Sequence, residues 1–137
     1  MLRLEQLDPG EPGPGEVLLR IEVIGINRAG ALFRRDSCVE PVKHLPARPR
    51  NEASGVVEAV GPGVSGFAAG QAVSVVPNFS HNDYGVYAER ALVPVSALVP
   101  RPDGVDAVTG AAVWMPHLTA YGAMVKIGGM RPETSRS

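Results

Sequence analysis

A single cysteine, Cys38, stands among the 137 residues. It allows no internal disulfide, and no second cysteine exists to complete a thiolate metal site. Aromatic residues are scarce at 5%, with one tryptophan. Charge excess of either sign is also missing. Thirteen Lys and Arg face fourteen Asp and Glu, for a formal net charge of -1. A near-neutral chain has no long-range field to draw it to nucleic acid or to an anionic membrane. No apolar run reaches the ~20 residues needed to span a bilayer, and the charged N-terminus lacks the apolar core of a signal peptide. The three histidines, His44, His81 and His117, form no pair at helical spacing, so no metal site is expected. No serine sits in a G-x-S-x-G elbow. These absences predict a soluble, cytoplasmic protein without metal, nucleic-acid or membrane partners.

What is abundant is punctuation. Sixteen Gly and thirteen Pro cut the chain into short pieces, as tight-turned β domains require. At this length roughly two-thirds of the unfolded surface can be buried, enough for one cored domain. Residues 9–15 form a rigid Pro/Gly lead-in. Residues 16–26 alternate, with Val17, Leu19, Ile21 and Val23 on one face and Arg20 and Glu22 on the other, which reads as a half-buried strand. Residues 27–35 read as one short helical segment and 36–50 as an irregular loop. Strands follow at 56–60, 72–76, 84–93 and 97–99. From 106 to 127 the strand period disappears, and the Ala-, Met- and Leu-rich sequence predicts two helices joined near Met115, with Pro116 in a first turn. The expected architecture is mainly β with an α-helical C-terminal segment: a small β-barrel over 1–105, a helical connection over 106–130 and a loose tail over 131–137.

Two local patterns are weighed against their plainer readings. Gly61-Pro62-Gly63-Val64-Ser65-Gly66 fits G-x-G-x-x-G, but that fingerprint needs a helix opening at its third glycine. A strand follows instead, so a turn between antiparallel strands is the reading. The local basic stretch of Arg34, Arg35, Arg48 and Arg50 is broken by prolines and reads as a solvated loop rather than a phosphate-binding patch.

The informative pieces are ordered blocks: Pro12–Leu18, Gly25-Ile26-Asn27-Arg28-Ala29, Asn51–Val57, Val60–Val64, Tyr84–Glu89 and Ala112–Gly122. In this order and spacing, from residue 3 to about 132, they resemble the medium-chain dehydrogenase/reductase superfamily. Gly-x-Asn-Arg-Ala and Leu-Thr-Ala-Tyr are most similar to its zinc-independent quinone reductases. The blocks Asn82–Tyr87 and Ala112–Met115 resemble a subgroup often labelled alcohol dehydrogenase.

The resemblance implies a GroES-like β-barrel lining one side of a cleft, with a Rossmann domain carrying NADPH on the other. The sequence reaches Gly129-Met130-Arg131-Pro132 where such relatives run into the first Rossmann strand. The three zinc-ligand positions of zinc-dependent relatives match Asn27, Asn51 and approximately Met115, and their proton-relay positions match Ala29 and Gly30; zinc is therefore not expected. By the same resemblance Asn27 and Thr119 lie near the nicotinamide and Arg28 toward the cofactor's phosphates, while Phe33, Phe79 and Tyr84 wall the pocket of a small-molecule substrate (an enone, quinone or carbonyl). A plainer reading stands beside each. Asn27 could satisfy backbone groups at a strand end, Thr119 could be an ordinary helix residue, and the aromatics could be core.

Two functional readings follow. One is the catalytic-domain portion of an NADPH-dependent, zinc-free oxidoreductase, inactive alone. The other is a stand-alone GroES-like domain recruited as a non-redox enzyme or as a binding and assembly module. The helical region adds an expectation of self-association. Val108, Val113, Trp114, Met115, Leu118, Tyr121, Met124, Val125 and Ile127 are too many apolar side chains for a small barrel to cover, which predicts a homodimer or other self-association through residues 113–127.

Overall fold

The computed structural model describes residues 3–38, 40–45 and 47–131; the tail expected beyond Arg131 lies outside them. Five strands form one antiparallel sheet: β1 (Glu16–Ile24), β2 (Ala53–Val60), β3 (Ala72–Val75), β4 (Arg90–Pro94) and β5 (Leu98–Pro100), in the order β4-β1-β2-β3-β5. Helix α1 (Arg28–Phe33) follows β1. Helices α2 (Ala107–Ala112) and α3 (Trp114–Tyr121) and a π-helical turn (Gly122–Ile127) close the chain. This is the mainly β, GroES-like architecture expected from the sequence.

The alternation read in β1 holds in part: Val17 and Leu19 are fully buried and Arg20 is exposed, but Leu18 is buried as well. Val17 and Leu19 join Val57, Val73, Val75, Val86, Ala91 and Val93 in one aliphatic core. Each buried Val or Leu contributes about 1.5–3 kcal/mol, so the inner face of the sheet dominates the stability. β4 and β5 are the two edges of the sheet, yet only the 3-10 turn Val95–Ala97 separates them along the chain. The sheet must therefore curl to bring its edges within reach. Two register irregularities in the β1–β2 pairing, at Leu18/Leu19 and Ile21/Val23, supply the local bends that curling needs. The turn is stitched on both sides: Val95 N–H donates to Gly15 O at 2.8 Å and Val76 N–H to Ala97 O at 2.7 Å.

The glycine run behaves as a turn between β2 and β3, with Gly63 and Gly66 at positive φ (74° and 85°) and no helix after it. Two boundaries differ from expectation. The strand expected at 84–93 begins only at Arg90, because Tyr84–Ala88 packs across the preceding loop instead. Val86 N–H donates to Arg50 O at 3.0 Å, and a Cβ on Gly85 would collide with Arg48 O. The helical region breaks at Val113 rather than Met115. Asp106 caps α2 by accepting from Thr109 N–H at 2.7 Å, and Pro116 takes its place in the first turn of α3, where a missing N–H costs nothing.

Candidate functional site

The end of β1 lies beside the start of β2, with Ile24 paired to Ala53, and the chain leaving β1 makes the site. Gly25 N–H donates to Glu52 O at 2.8 Å. A Cβ on Gly25 would stand 2.5 Å from Ala111 O and 2.8 Å from Glu52 Cγ, so glycine is what lets the two elements and α2 meet. Asn27 then caps α1, its Oδ1 accepting from Gly30 N–H at 3.0 Å. This satisfies one of the helix's free amides. Its Nδ2 faces Glu52 Oε2 at 3.5 Å, a long contact. Glu52 is 2% exposed, and its Oε1 accepts the main-chain N–H of Met115 at 2.8 Å. A buried carboxylate thus joins the start of α1 to the start of α3. Asn51 beside it is buried with Oδ1 unpartnered.

Arg50 forms the floor of an adjoining cleft. Its Nη1 donates to Asn27 O at 2.8 Å, its φ is +85°, and its Nε is buried without an acceptor. A left-handed backbone at a non-glycine residue is costly and persists only where the surroundings hold it. The cleft of about 200 Å³ lies between α1, Pro49-Arg50 and Tyr87.

A second, smaller cleft of about 90 Å³ is bordered by His44, Arg48, His81 and Tyr84. His81 is buried and stacks on Phe33 with ring centroids 4.8 Å apart. Burial holds its imidazole below the usual histidine range and the Arg50 charge acts the same way, against the opposing pull of Glu40. Glu40 accepts hydrogen bonds from Ser80 Oγ, from Asn82 Nδ2 at 2.9 Å and from His81 N–H at 3.1 Å. The Ser80 and Asn82 bonds hold its carboxyl below the usual range. Tyr84 donates its hydroxyl to Glu16 Oε1 at 2.9 Å, which pushes the phenol up, and its ring meets Phe79 edge-on at 5.8 Å.

The residues expected at the site are distributed unevenly. Of Asn27, Asn51 and Met115, matched to the metal-ligand positions, the Asn27 amide and the Met115 main-chain N–H both meet the Glu52 carboxyl, while Asn51 Oδ1 is unpartnered. Arg28 is exposed on α1. Thr119 is exposed, and its Oγ1 donates back to Met115 O at 2.7 Å within α3. Phe33 is 1% exposed and lies in the interior. Phe79 packs against the aliphatic core, and Tyr84 borders the smaller cleft. The sequence reading missed Glu52 and took Arg50, with Arg34, Arg35 and Arg48, for part of a solvated loop. A lone acid amid Asn-Glu-Ala-Ser-Gly was the available signal for the first. For the second, only the fold brings residues 34, 35 and 50 together.

Zinc and the dinucleotide can be tested against these side chains. Two amides, a thioether and one carboxylate are not a zinc donor set, and the described residues hold no group of three His, Cys, Asp or Glu suited to a metal ion. For a nicotinamide the fit is better. Asn27 is half-exposed with a weakly used amide, and the exposed Arg28 has no carboxylate within ion-pair distance among the described residues.

Comparison with known proteins agrees with this fold. Residues 13–103 match the alcohol dehydrogenase GroES-like domain. The chain is 36% identical over 124 residues to the synaptic vesicle membrane protein VAT-1 homolog of Rattus norvegicus, covering 90% of this chain and 29% of that protein. It is 35% identical over 119 residues to a quinone oxidoreductase of Pseudomonas aeruginosa, covering 87% of this chain and 35% of that one. Among solved structures, Escherichia coli quinone oxidoreductase complexed with NADPH superposes with a TM-score of 0.82 at 26% identity, over 94% of this chain and 38% of that chain. The chain thus spans about a third of the length of these relatives. No helix among the described residues is long and apolar enough to cross a membrane.

Proposed function

The chain belongs to the alcohol dehydrogenase GroES-like domain family, and from that footing we propose that it is the catalytic-domain portion of an NADPH-dependent, zinc-free oxidoreductase acting on an enone, quinone or carbonyl in the cytoplasm. The observation that carries the reading is the donor set around Glu52. There the Asn27 amide and the Met115 main-chain N–H face one buried carboxyl, and by the family resemblance Asn27, Asn51 and Met115 stand at the metal positions, with amide and thioether side chains in place of zinc ligands.

When bound, the nicotinamide supplies the hydride. Asn27, Arg28 and Thr119 are the residues that would hold it. The Asn27 amide keeps donor capacity because its one side-chain acceptor lies at 3.5 Å. Arg28 offers an exposed cation to the cofactor's phosphates. The Thr119 proton is engaged by Met115 O, so that hydroxyl serves as an acceptor. Charge developing on the substrate oxygen is met by hydrogen-bond donors and not by a metal. On this reading most dinucleotide contacts come from a Rossmann domain, and residues 1–137 alone do not turn over. The test is a chimera in which this chain replaces the matching part of the Pseudomonas aeruginosa enzyme. NADPH-dependent quinone reduction that falls on Asn27→Ala supports the proposal, and a folded, NADPH-binding chimera without turnover overturns it.

A second reading, assembly, is favoured by one observation. Leu118, Tyr121, Met124, Val125 and Ile127 are 40%, 49%, 47%, 37% and 88% exposed, an apolar strip of the kind that marks an interface. Val113, Trp114 and Met115 are turned partly inward, so the proposed homodimer contact is centred on the later residues of 113–127.

A further inference from the structure

We infer that the cleft between α1 and the Pro49-Arg50 segment binds a phosphate group, either inorganic phosphate or the phosphate of a small monoester, through Arg34, Arg35 and Arg50. Three guanidinium-bearing residues and Tyr87 line it, and no acidic residue does. None of the three arginines has a carboxylate within ion-pair distance among the described residues. The chain as a whole carries fourteen acids and a net charge of -1, so three uncompensated cations around one concavity are a local departure. Like charges gathered this way repel one another, and an anion reverses the sign of that interaction.

The cleft is also built, rather than a chance meeting of solvated side chains. Arg50 is held by its bond to Asn27 O at 2.8 Å and by a left-handed backbone at φ +85°. Gly30 makes room for it, since a Cβ there would stand 2.5 Å from Nη1. One nitrogen, Nε, is buried with its proton unmet, the sort of polar imbalance that a native site tolerates for a reason. Arg34 and Arg35 are exposed at the rim and free to close over an anion. Planar guanidiniums match phosphate oxygens in pairs, and three cations suit a dianion better than a monocarboxylate. At about 200 Å³ the space is below the roughly 300–1,000 Å³ of sites for drug-sized ligands, which favours a small phosphate over a whole dinucleotide. Arg28, which the family resemblance assigns to the cofactor, does not line it. The basic stretch read from the sequence as a solvated loop is, on this inference, a ligand site.

The inference does not rest on the redox reading, because inorganic phosphate reports it without cofactor or turnover. Isothermal titration of the 137-residue chain with sodium phosphate should give saturable binding that is absent with sodium chloride and weaker with sodium acetate at matched ionic strength. The Arg34→Gln, Arg35→Gln double variant changes two exposed residues and should weaken binding by about tenfold or more, the effect of losing charge-assisted hydrogen bonds. Ala31→Glu, at an exposed position lining the cleft, supplies an internal carboxylate and should abolish phosphate binding while raising the melting temperature. A phosphate response equal to that of chloride overturns the inference, as does acetate binding as tightly as phosphate. Phosphate affinity left unchanged by either folded variant overturns it as well.

Discussion

Glu52, at the entrance to β2, accepts the main-chain N–H of Met115 across the fold at 2.8 Å, so one buried carboxylate fixes where α3 starts relative to Asn27. A buried carboxyl group is costly unless its oxygens are hydrogen-bonded.

Removing that carboxylate should therefore be costly. Glu52→Ala leaves a cavity and an unmet amide, and we expect a loss of about 2–4 kcal/mol in urea unfolding. Glu52→Gln keeps an acceptor for Met115 N–H and should cost about 1 kcal/mol. Equal losses for the two variants would contradict this, because glutamine keeps both the side-chain volume and an acceptor for Met115 N–H.

The sheet was largely legible because its signals are local. Alternation in residues 16–24 and the turn at Gly61–Gly66 need no knowledge of distant contacts. The strand expected at 84–93 failed at its first half because Tyr84–Ala88 packs on Arg48 and Arg50, a long-range contact that alternation cannot report. The site was legible in part. Asn27 announced itself as a residue between a strand and a helix, whereas Arg34, Arg35 and Arg50 are separated by an irregular loop and meet only in three dimensions. Phe33 is buried and stacks on His81, which is the core reading that the sequence left open beside a pocket wall.

Acidification should act through His81. Its imidazole is held below 6.5, chiefly by burial. Between that folded value and 6.5 the unfolded chain binds more protons, so stability falls as pH drops below about 6.5. Glu40 is also shifted down, from 4.5, so its stabilising contribution is lost only in a lower window, as pH falls through its folded value. Thermal melting from neutral pH to just above the carboxylate range should show the first decline. His81→Phe, which keeps the stack on Phe33, should flatten it. An unchanged slope in that variant would assign the proton to another group.

Elemental analysis bears on the zinc-free proposal. After dialysis against dilute chelator, the protein should carry well under one zinc per chain. A tightly held equivalent would mean that Asn27, Asn51 and Met115 do not occupy the positions assigned to them.

Self-association should be visible by light scattering. A dimer is expected, and Leu118→Glu with Met124→Glu, both at exposed positions, should shift it to monomer without loss of fold. A wild-type chain that stays monomeric on concentration would contradict the proposed contact.

The cofactor side of the cleft is tested most directly by an NMR titration of the 137-residue chain with NADPH, in phosphate buffer so that the arginine cleft is already saturated. The account predicts amide shifts centred on Asn27 and Arg28 and extending to Thr119, with a dissociation constant weaker than about a millimolar, the ~4 kcal/mol scale. Micromolar affinity, or shifts centred on Gly61–Gly66 with Asn27 unmoved, would contradict it.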